Sequence, residues 1–330
     1  MCKILLTCGI KPEKSKLLEQ FIYKVAPILG RDDEDGMGYV ALSKNGEMFG
    51  ERWLNNTMAF NSSLKESTEQ KIAKMFFGAL IEGRFYNKFG KVQRDKITSV
   101  CLHARKATTD VSLDNTHPFV SENGKTALIH NGIVDILNLK LKTSTCDSEG
   151  LLNLYTKLKM YDHPKQMKKF AKMVDGYYAC GIITQDSIGK WYMDIIKDNR
   201  AQLYAVYIKE LDNVVFCTNE TIILETCKLL GWTASGMFFV QDNTFIRLNA
   251  LTGKVLSTRK FKKEEFVRYV RPLRKKKKKD NWDVLDTSSS VHYPDPSAST
   301  SNDTPSNPDN DSPSSNYDTG DGGFGAGSPL

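Results

Sequence analysis

The sequence predicts an α+β fold built in layers, on three observations. Apolar runs of strand length come in groups, helical periodicities fall between those groups, and the stretch after about residue 175 is mostly strand-like. All three hold up to about residue 270, which sets the expected folded domain at 1–270. From 280 to 330 there are nine Asp and no Glu, Lys or Arg, and Ser, Pro, Gly, Asp, Asn and Thr fill 40 positions. Such a segment buries too little apolar surface to offset its ordering entropy, so 280–330 reads as a disordered acidic tail.

Residues 3–8 read as a short apolar strand, and behind it Leu17, Leu18, Phe21, Ile22 and Val25 recur at helical spacing. Asn45-Gly46 between two strand-like runs predicts a two-residue hairpin. Ser63 and Glu66 form a capping-box pattern opening a helix that carries Ile72, Met75, Phe76, Phe77, Ala79 and Leu80. ITSVCLH (97–103) and TALIH (126–130) read as strands. A helix with Leu151, Leu152, Tyr155 and Leu158 on one face follows Asp147, and a second runs from about Pro164 to Val174. Four strands come next, at YYACGIIT, KWYMDII, QLYAVYI and NVVFCT. A helix around Ile222 to Leu230 and strand pairs near 238–248 and 255–261 close the domain.

Composition narrows the function classes. The net charge of +7 conceals 46 Lys and Arg against only 30 Asp and Glu outside the tail, an excess of +16. No run approaches the ~18 apolar residues of a membrane-spanning helix. The start, MCKILLTCGIK, matches neither a signal peptide nor an anchor, and Cys at position 2 excludes the myristoylation pattern. Seven cysteines, an odd number without a CxxC pair, argue against a disulfide scaffold or a zinc site and for a reducing cytoplasm, that of the host if the source is viral. GxxxxGK[ST] and GxGxxG are both missing, so nucleotide chemistry has no support in the sequence.

Cys2 is the most informative residue. Removal of Met1, which a small second residue permits, leaves a thiol and a free α-amine on one residue. An α-amine of reference pKa ~7.7–8.0 can take the proton of a thiol of reference pKa ~8.5, which makes an activated nucleophile. A Met-Cys start also arises by chance, and three further segments bear on the choice: HARKATTDVSLDNTHPF at 103–119, HNG at 130–132 and CDSEG at 146–150.

Together with Cys2 these segments resemble the class II glutamine amidotransferases, N-terminal-nucleophile hydrolases. The NTHPF ending is most similar to small stand-alone members without a synthase domain. DGMGYVAL (35–42) and DGYYACGIIT (175–184) extend the likeness over most of the folded part. The resemblance implies a four-layer αββα sandwich of two mainly antiparallel sheets. It also implies hydrolysis of the glutamine side-chain amide through a γ-glutamyl thioester on Cys2, with release of glutamate and ammonia and no cofactor or metal.

By the same resemblance, the amide of Asn131 and the backbone N–H of Gly132 form the oxyanion hole, Arg105 grips the substrate α-carboxylate, Asp147 takes its α-ammonium, and Thr108 stands near the carboxylate. Each position has a plainer reading. Asn-Gly is a hairpin signal and occurs at 45, 123 and 131; Arg105 alone reads as a surface charge, and Asp147 as a helix N-cap. A planar guanidinium suits a carboxylate because it offers two parallel hydrogen bonds. His117 and His130 read as structural histidines satisfied by hydrogen bonds.

The chain departs from many synthase-linked members at Lys106, where they have Trp, and at Thr109-Asp110, where they have His-Gly. In the family that loop helps close the site and pass ammonia on, so the departures bear on coupling to an acceptor and not on glutamine hydrolysis. With no second active-site motif in the sequence, the options are a separate synthase subunit, a free-standing glutaminase or a retained binding fold, and a donor to an acceptor on a partner protein is the favoured one. RPLRKKKKK (271–279), with Arg271, Arg274, Lys275, Lys276, Lys277, Lys278 and Lys279, reads either as a solvated linker or as a phosphate-contacting block for nucleic acid or anionic lipid. The alternative to an enzyme is a catalytically silent scaffold that binds a protein partner or nucleic acid through that block.

Overall fold

The computed structural model describes residues 2–31, 33, 35–54, 96–108, 110–137 and 141–262. By contacts the chain divides into Met1–Tyr269 and Val270–Leu330, and every described residue lies in the first unit. The helix expected after Ser63, the basic block and the acidic tail fall outside the described residues.

Thirteen strands and four α-helices follow in chain order among the described residues. They are β1 (Lys3–Thr7), α1 (Ser15–Gly30), β2 (Gly36–Ser43), β3 (Met48–Trp53), β4 (Ile97–Arg105), β5 (Phe119–Val120), β6 (Thr126–Ile136), α2 (Asp147–Lys157), α3 (Met167–Met173), β7 (Val174–Gln185), β8 (Trp191–Lys197), β9 (Tyr204–Ile208), β10 (Asn213–Cys217), α4 (Glu220–Leu230), β11 (Ala234–Phe239), β12 (Thr244–Asn249) and β13 (Val255–Lys260). One sheet has seven strands in the order β11-β9-β10-β1-β4-β2-β3, the other six in the order β13-β12-β8-β7-β6-β5, and every pairing is antiparallel.

Alternation along each strand explains why the sheets stack. On β1, Leu5 joins a core with α1 and α4, while Ile4 and Leu6 join a second core with Ala127, Ile129, Ala179 and Ile183 of the other sheet. On β6, Leu128 turns the opposite way, into a third core with Leu151, Leu154 and Tyr155 of α2 and Phe170 of α3. Three cores between four layers make an αββα sandwich, as expected. Sheets covered on both faces need apolar residues at successive positions, which is why ILL and GMGYVALS read as unbroken runs.

Two local expectations are corrected and a third is refined. Asn45-Gly46 is no two-residue hairpin: Ser43 N–H donates to the Glu47 carbonyl at 2.9 Å, enclosing three residues, with Gly46 at φ +80° as the left-handed position. The helical stretch expected from about Pro164 to Val174 is present, as a 3-10 turn, Pro164–Gln166, that runs directly into α3. TALIH runs on to Ile136 as an eleven-residue strand, which places Asn131-Gly132 inside β6 and not in a turn. Among the described residues no helix is long and apolar enough to cross a membrane.

Candidate active site

Cys2 stands at the head of β1. Lys3 pairs with Ala104, so Cys2 lies beside the end of β4. Its Sγ donates to the Lys106 carbonyl at 3.3 Å and accepts from the Lys106 N–H at 3.4 Å. The backbone, not the side chain, of the position where synthase-linked members carry Trp is therefore what meets the thiol; the Lys106 side chain is exposed. All seven cysteines are free, and Cys2 is the one that is not buried. Burial still pushes its thiol above the ordinary value, with the Lys106 hydrogen bond opposing that shift; Asp33 adds to the rise and Arg105 counters it. Burial holds the Cys146 thiol at about 11 and the Cys8 thiol at about 12, so both stay protonated at neutral pH.

Arg105, the last residue of β4, is 3% exposed, so its reading as a surface charge is wrong. Its Nη2 donates to the Asp110 carbonyl at 2.8 Å. Asp35, just ahead of β2, fixes the strand end: its N–H donates to the Arg105 carbonyl at 3.3 Å and its Oδ2 accepts from the Ala107 N–H at 2.7 Å. Thr108 is exposed and makes no side-chain hydrogen bond among the described residues, so nothing ties it to the other candidates.

The second half of the site lies on the other sheet. Asn131 pairs with Ala179 and Gly132 with Tyr178 in the β6–β7 ladder. Gly132 has φ +152°, and a Cβ there would stand 2.0 Å from the Tyr177 carbonyl oxygen, so only glycine fits. The local Asn-Gly signal is thus overridden by pairing across the sheet. Asn131 is 4% exposed, and its buried Oδ1 has no hydrogen-bond partner among the described residues.

Asp147 is the first residue of α2 and not its N-cap; Cys146 holds that position without a side-chain cap. The carboxylate reaches back to β6 and accepts from the Val134 N–H at 2.7 Å. Its neighbour Ser148 meets His130 Nδ1 at 2.9 Å. Glu149, which lies on the same helix, collects the N–H groups of Lys142, Thr143 and Ser144 at 2.8–3.2 Å and so folds the preceding loop. Burial opposes its ionisation, and those hydrogen bonds win, leaving its carboxyl below the ordinary 4.5.

His103 joins the halves. It sits on β4 two residues before Arg105, and its Nε2 lies 3.1 Å from the carbonyl oxygen of His130, the residue before Asn131. That contact makes Nε2 the protonated nitrogen. The His103 and His117 rings stack with centroids 3.9 Å apart, and His130 approaches His117 edge-on at 6.4 Å. Burial holds His103 down to about 3 and drives His117 and His130 below the ordinary 6.5, with neighbouring imidazoles and Arg105 adding to the effect on the first two. His117 does not follow the expectation of a hydrogen-bonded structural histidine: both its ring nitrogens are buried without a hydrogen-bond partner among the described residues.

The structure thus sets Cys2 against the backbone just after Arg105, and Asp147 against His130 and Val134, which flank Asn131-Gly132 on β6. His103 of β4 reaches the His130 carbonyl, and the Thr108 side chain meets none of the candidates among the described residues. Sequence reasoning gave no role to Asp35, His103, Asn115 or Glu149. All four stand in the segments that carry the resemblance, and the partners of Asp35, His103 and Asn115 include residues 27 to 72 positions away. Among the described residues no group of three or more His, Cys, Asp or Glu is arranged to hold a metal ion.

No family model matches the chain. Over 94 residues it is 37% identical to the glutamine–fructose-6-phosphate aminotransferase (isomerizing) of Fusobacterium nucleatum, covering 26% of this chain and 16% of that protein. It is similar to a glutamine phosphoribosylpyrophosphate amidotransferase from B. subtilis (18% identity, TM-score 0.49, 77% of this chain and 48% of that one). It is also similar to a predicted glutamine amidotransferase from Pseudomonas aeruginosa (14% identity, TM-score 0.38, 78% and 95% of the two chains). The chain spans about a sixth of the length of the curated relative it matches. In sequence, as its motifs predict, the chain resembles the class II glutamine amidotransferases.

Proposed function

We propose that the protein hydrolyses the side-chain amide of glutamine, with Cys2 as nucleophile once Met1 is removed. The observation that carries this reading is the placement of the least buried thiol of the chain against the backbone immediately after Arg105. Its freed α-amine takes the thiol proton, and the sulfur attacks the amide carbon to give a tetrahedral oxyanion. Asn131 Nδ2 and the Gly132 N–H stabilise that charge. Collapse passes the proton to the departing nitrogen, releases ammonia and leaves a γ-glutamyl thioester, which water hydrolyses to glutamate. Arg105 and Asp147 select a free α-amino acid by its carboxylate and ammonium.

The 37% identity to an aminotransferase named for glutamine supports this substrate. Ammonia then goes to an acceptor held by a partner protein. The scaffold alternative rests on the basic block, which lies outside the described residues, and nothing in the described fold favours it. A glutaminase assay on purified protein with Met1 removed decides the matter. We expect ammonia and glutamate in equal amounts from the native chain and none from Cys2→Ala. Equal rates from the two proteins would overturn the assignment.

A further inference from the structure

Resting on that reading of the substrate, we propose that Asn115 is a positioning residue that sets the spacing between the α-carboxylate clamp and the α-ammonium clamp. Its side chain is 3% exposed, and both ends of the amide are engaged. Nδ2 donates to the Asp110 carbonyl at 3.1 Å and to Thr145 Oγ1 at 2.8 Å. Oδ1 accepts from the Thr145 N–H at 2.9 Å. The Asp110 carbonyl is the same atom that accepts from Arg105 Nη2 at 2.8 Å. Thr145 stands two residues before Asp147, in the loop whose other side is gathered by Glu149.

One buried amide therefore clasps the loop that seats Arg105 to the loop that delivers Asp147. An α-amino acid presents its carboxylate and ammonium on a single carbon, so it discriminates sharply against any change in the distance between their two partners. A clasp that holds both loops acts on this distance without touching substrate. Its loss weakens ground state and transition state together, so KM rises while kcat changes less.

The test compares three substrates on the native chain, Asn115→Ala, Asn115→Asp and Thr145→Ala, each with Met1 removed and each checked for folding by thermal unfolding. The substrates are glutamine, glutaminamide, which lacks the carboxylate, and 4-carbamoylbutanoate, which lacks the amine. Asn115→Asp keeps the Oδ1 acceptor and loses both Nδ2 donations, and Thr145→Ala removes one of them, so a folded variant remains even if Asn115→Ala does not fold. Loss of two or three hydrogen bonds of about 1 kcal/mol each is expected to raise KM for glutamine about 30- to 140-fold, and loss of one, in Thr145→Ala, about fivefold. KM for the two truncated substrates, which use only one clamp, should change little, so discrimination narrows. Folded variants that keep native discrimination among the three substrates overturn the clasp. A native chain inactive on all three substrates instead overturns the functional reading beneath it.

Discussion

Two buried polar clusters of this fold are built on opposite principles. Outside the site, Arg247 of β12 faces Asp194 of β8 with Nε–Oδ1 2.7 Å and Nη2–Oδ2 2.6 Å, Tyr155 of α2 donates to the same carboxylate at 2.7 Å, and the remaining guanidinium donors reach the Tyr161 and Met160 carbonyls at 2.9 and 2.8 Å. Every charge is paired, and helix and sheet are locked together. Around His103, His117, His130 and Asn131, by contrast, both nitrogens of His117, Nδ1 of His103, Nε2 of His130 and Oδ1 of Asn131 are buried without a hydrogen-bond partner among the described residues. Buried polar groups are ordinarily satisfied, and unpaired ones concentrate where a fold gives up stability for chemistry. The contrast sets residues that hold the sandwich together against those of the candidate site.

Breaking the paired cluster gives the largest effect on stability. Asp194→Ala leaves the Arg247 guanidinium buried without its carboxylate, and is expected to lower the unfolding free energy by about 3–5 kcal/mol in urea denaturation while the folded fraction keeps its turnover number. Asn131→Ala should invert that pattern. The unfolding midpoint moves by less than the equivalent of about 1 kcal/mol, because the amide makes no hydrogen bond within the described fold. Turnover of glutamine falls about 10²- to 10³-fold, the loss of ~2.7–4 kcal/mol expected from one oxyanion donor. Equal damage to stability and turnover in either variant would erase the distinction between the clusters.

A gentler test uses acid. The three site histidines are neutral in the fold because burial lowers their pKa, His103 to about 3 from an ordinary 6.5. Below pH 6.5 the unfolded chain takes up protons that the folded chain refuses, so stability is complete above that pH and declines as the pH falls toward 3. The urea midpoint is expected to hold from pH 7.5 to about pH 6.5 and to drop between there and pH 5, and His117→Phe should make that slope shallower. An unchanged slope in His117→Phe would show that the stacked imidazoles carry no such cost.

How much of this was legible in sequence follows from the range of the interactions. Strands covered on both faces announce themselves through contiguous apolar residues, and Leu17 to Val25 display the inner face of α1 by local periodicity. Asn131-Gly132 misleads as a local signal, because the dipeptide favours a turn and only pairing with residues near Tyr177, over forty positions away, makes it strand. Asp147 reads as a cap for the same reason: its true partner, the Val134 N–H, belongs to another element. The clasp of Asn115 on Thr145 spans 30 positions, and the missing partners of His117 have no trace in sequence at all. Motif likeness supplied what periodicity could not, since it marks residues on separate elements: Cys2 at the head of β1, Arg105 on β4, Asn131 and Gly132 on β6, and Asp147 on α2.

The central claim is that Cys2 is the nucleophile of a site shaped for free glutamine. Intact-mass measurement after treatment with an electrophilic glutamine analogue, followed by peptide mapping, tests it most directly. The account predicts a single adduct on Cys2 of the chain lacking Met1, suppressed by excess glutamine and absent from Cys2→Ala. No adduct, or labelling of other cysteines that glutamine does not protect, would contradict it.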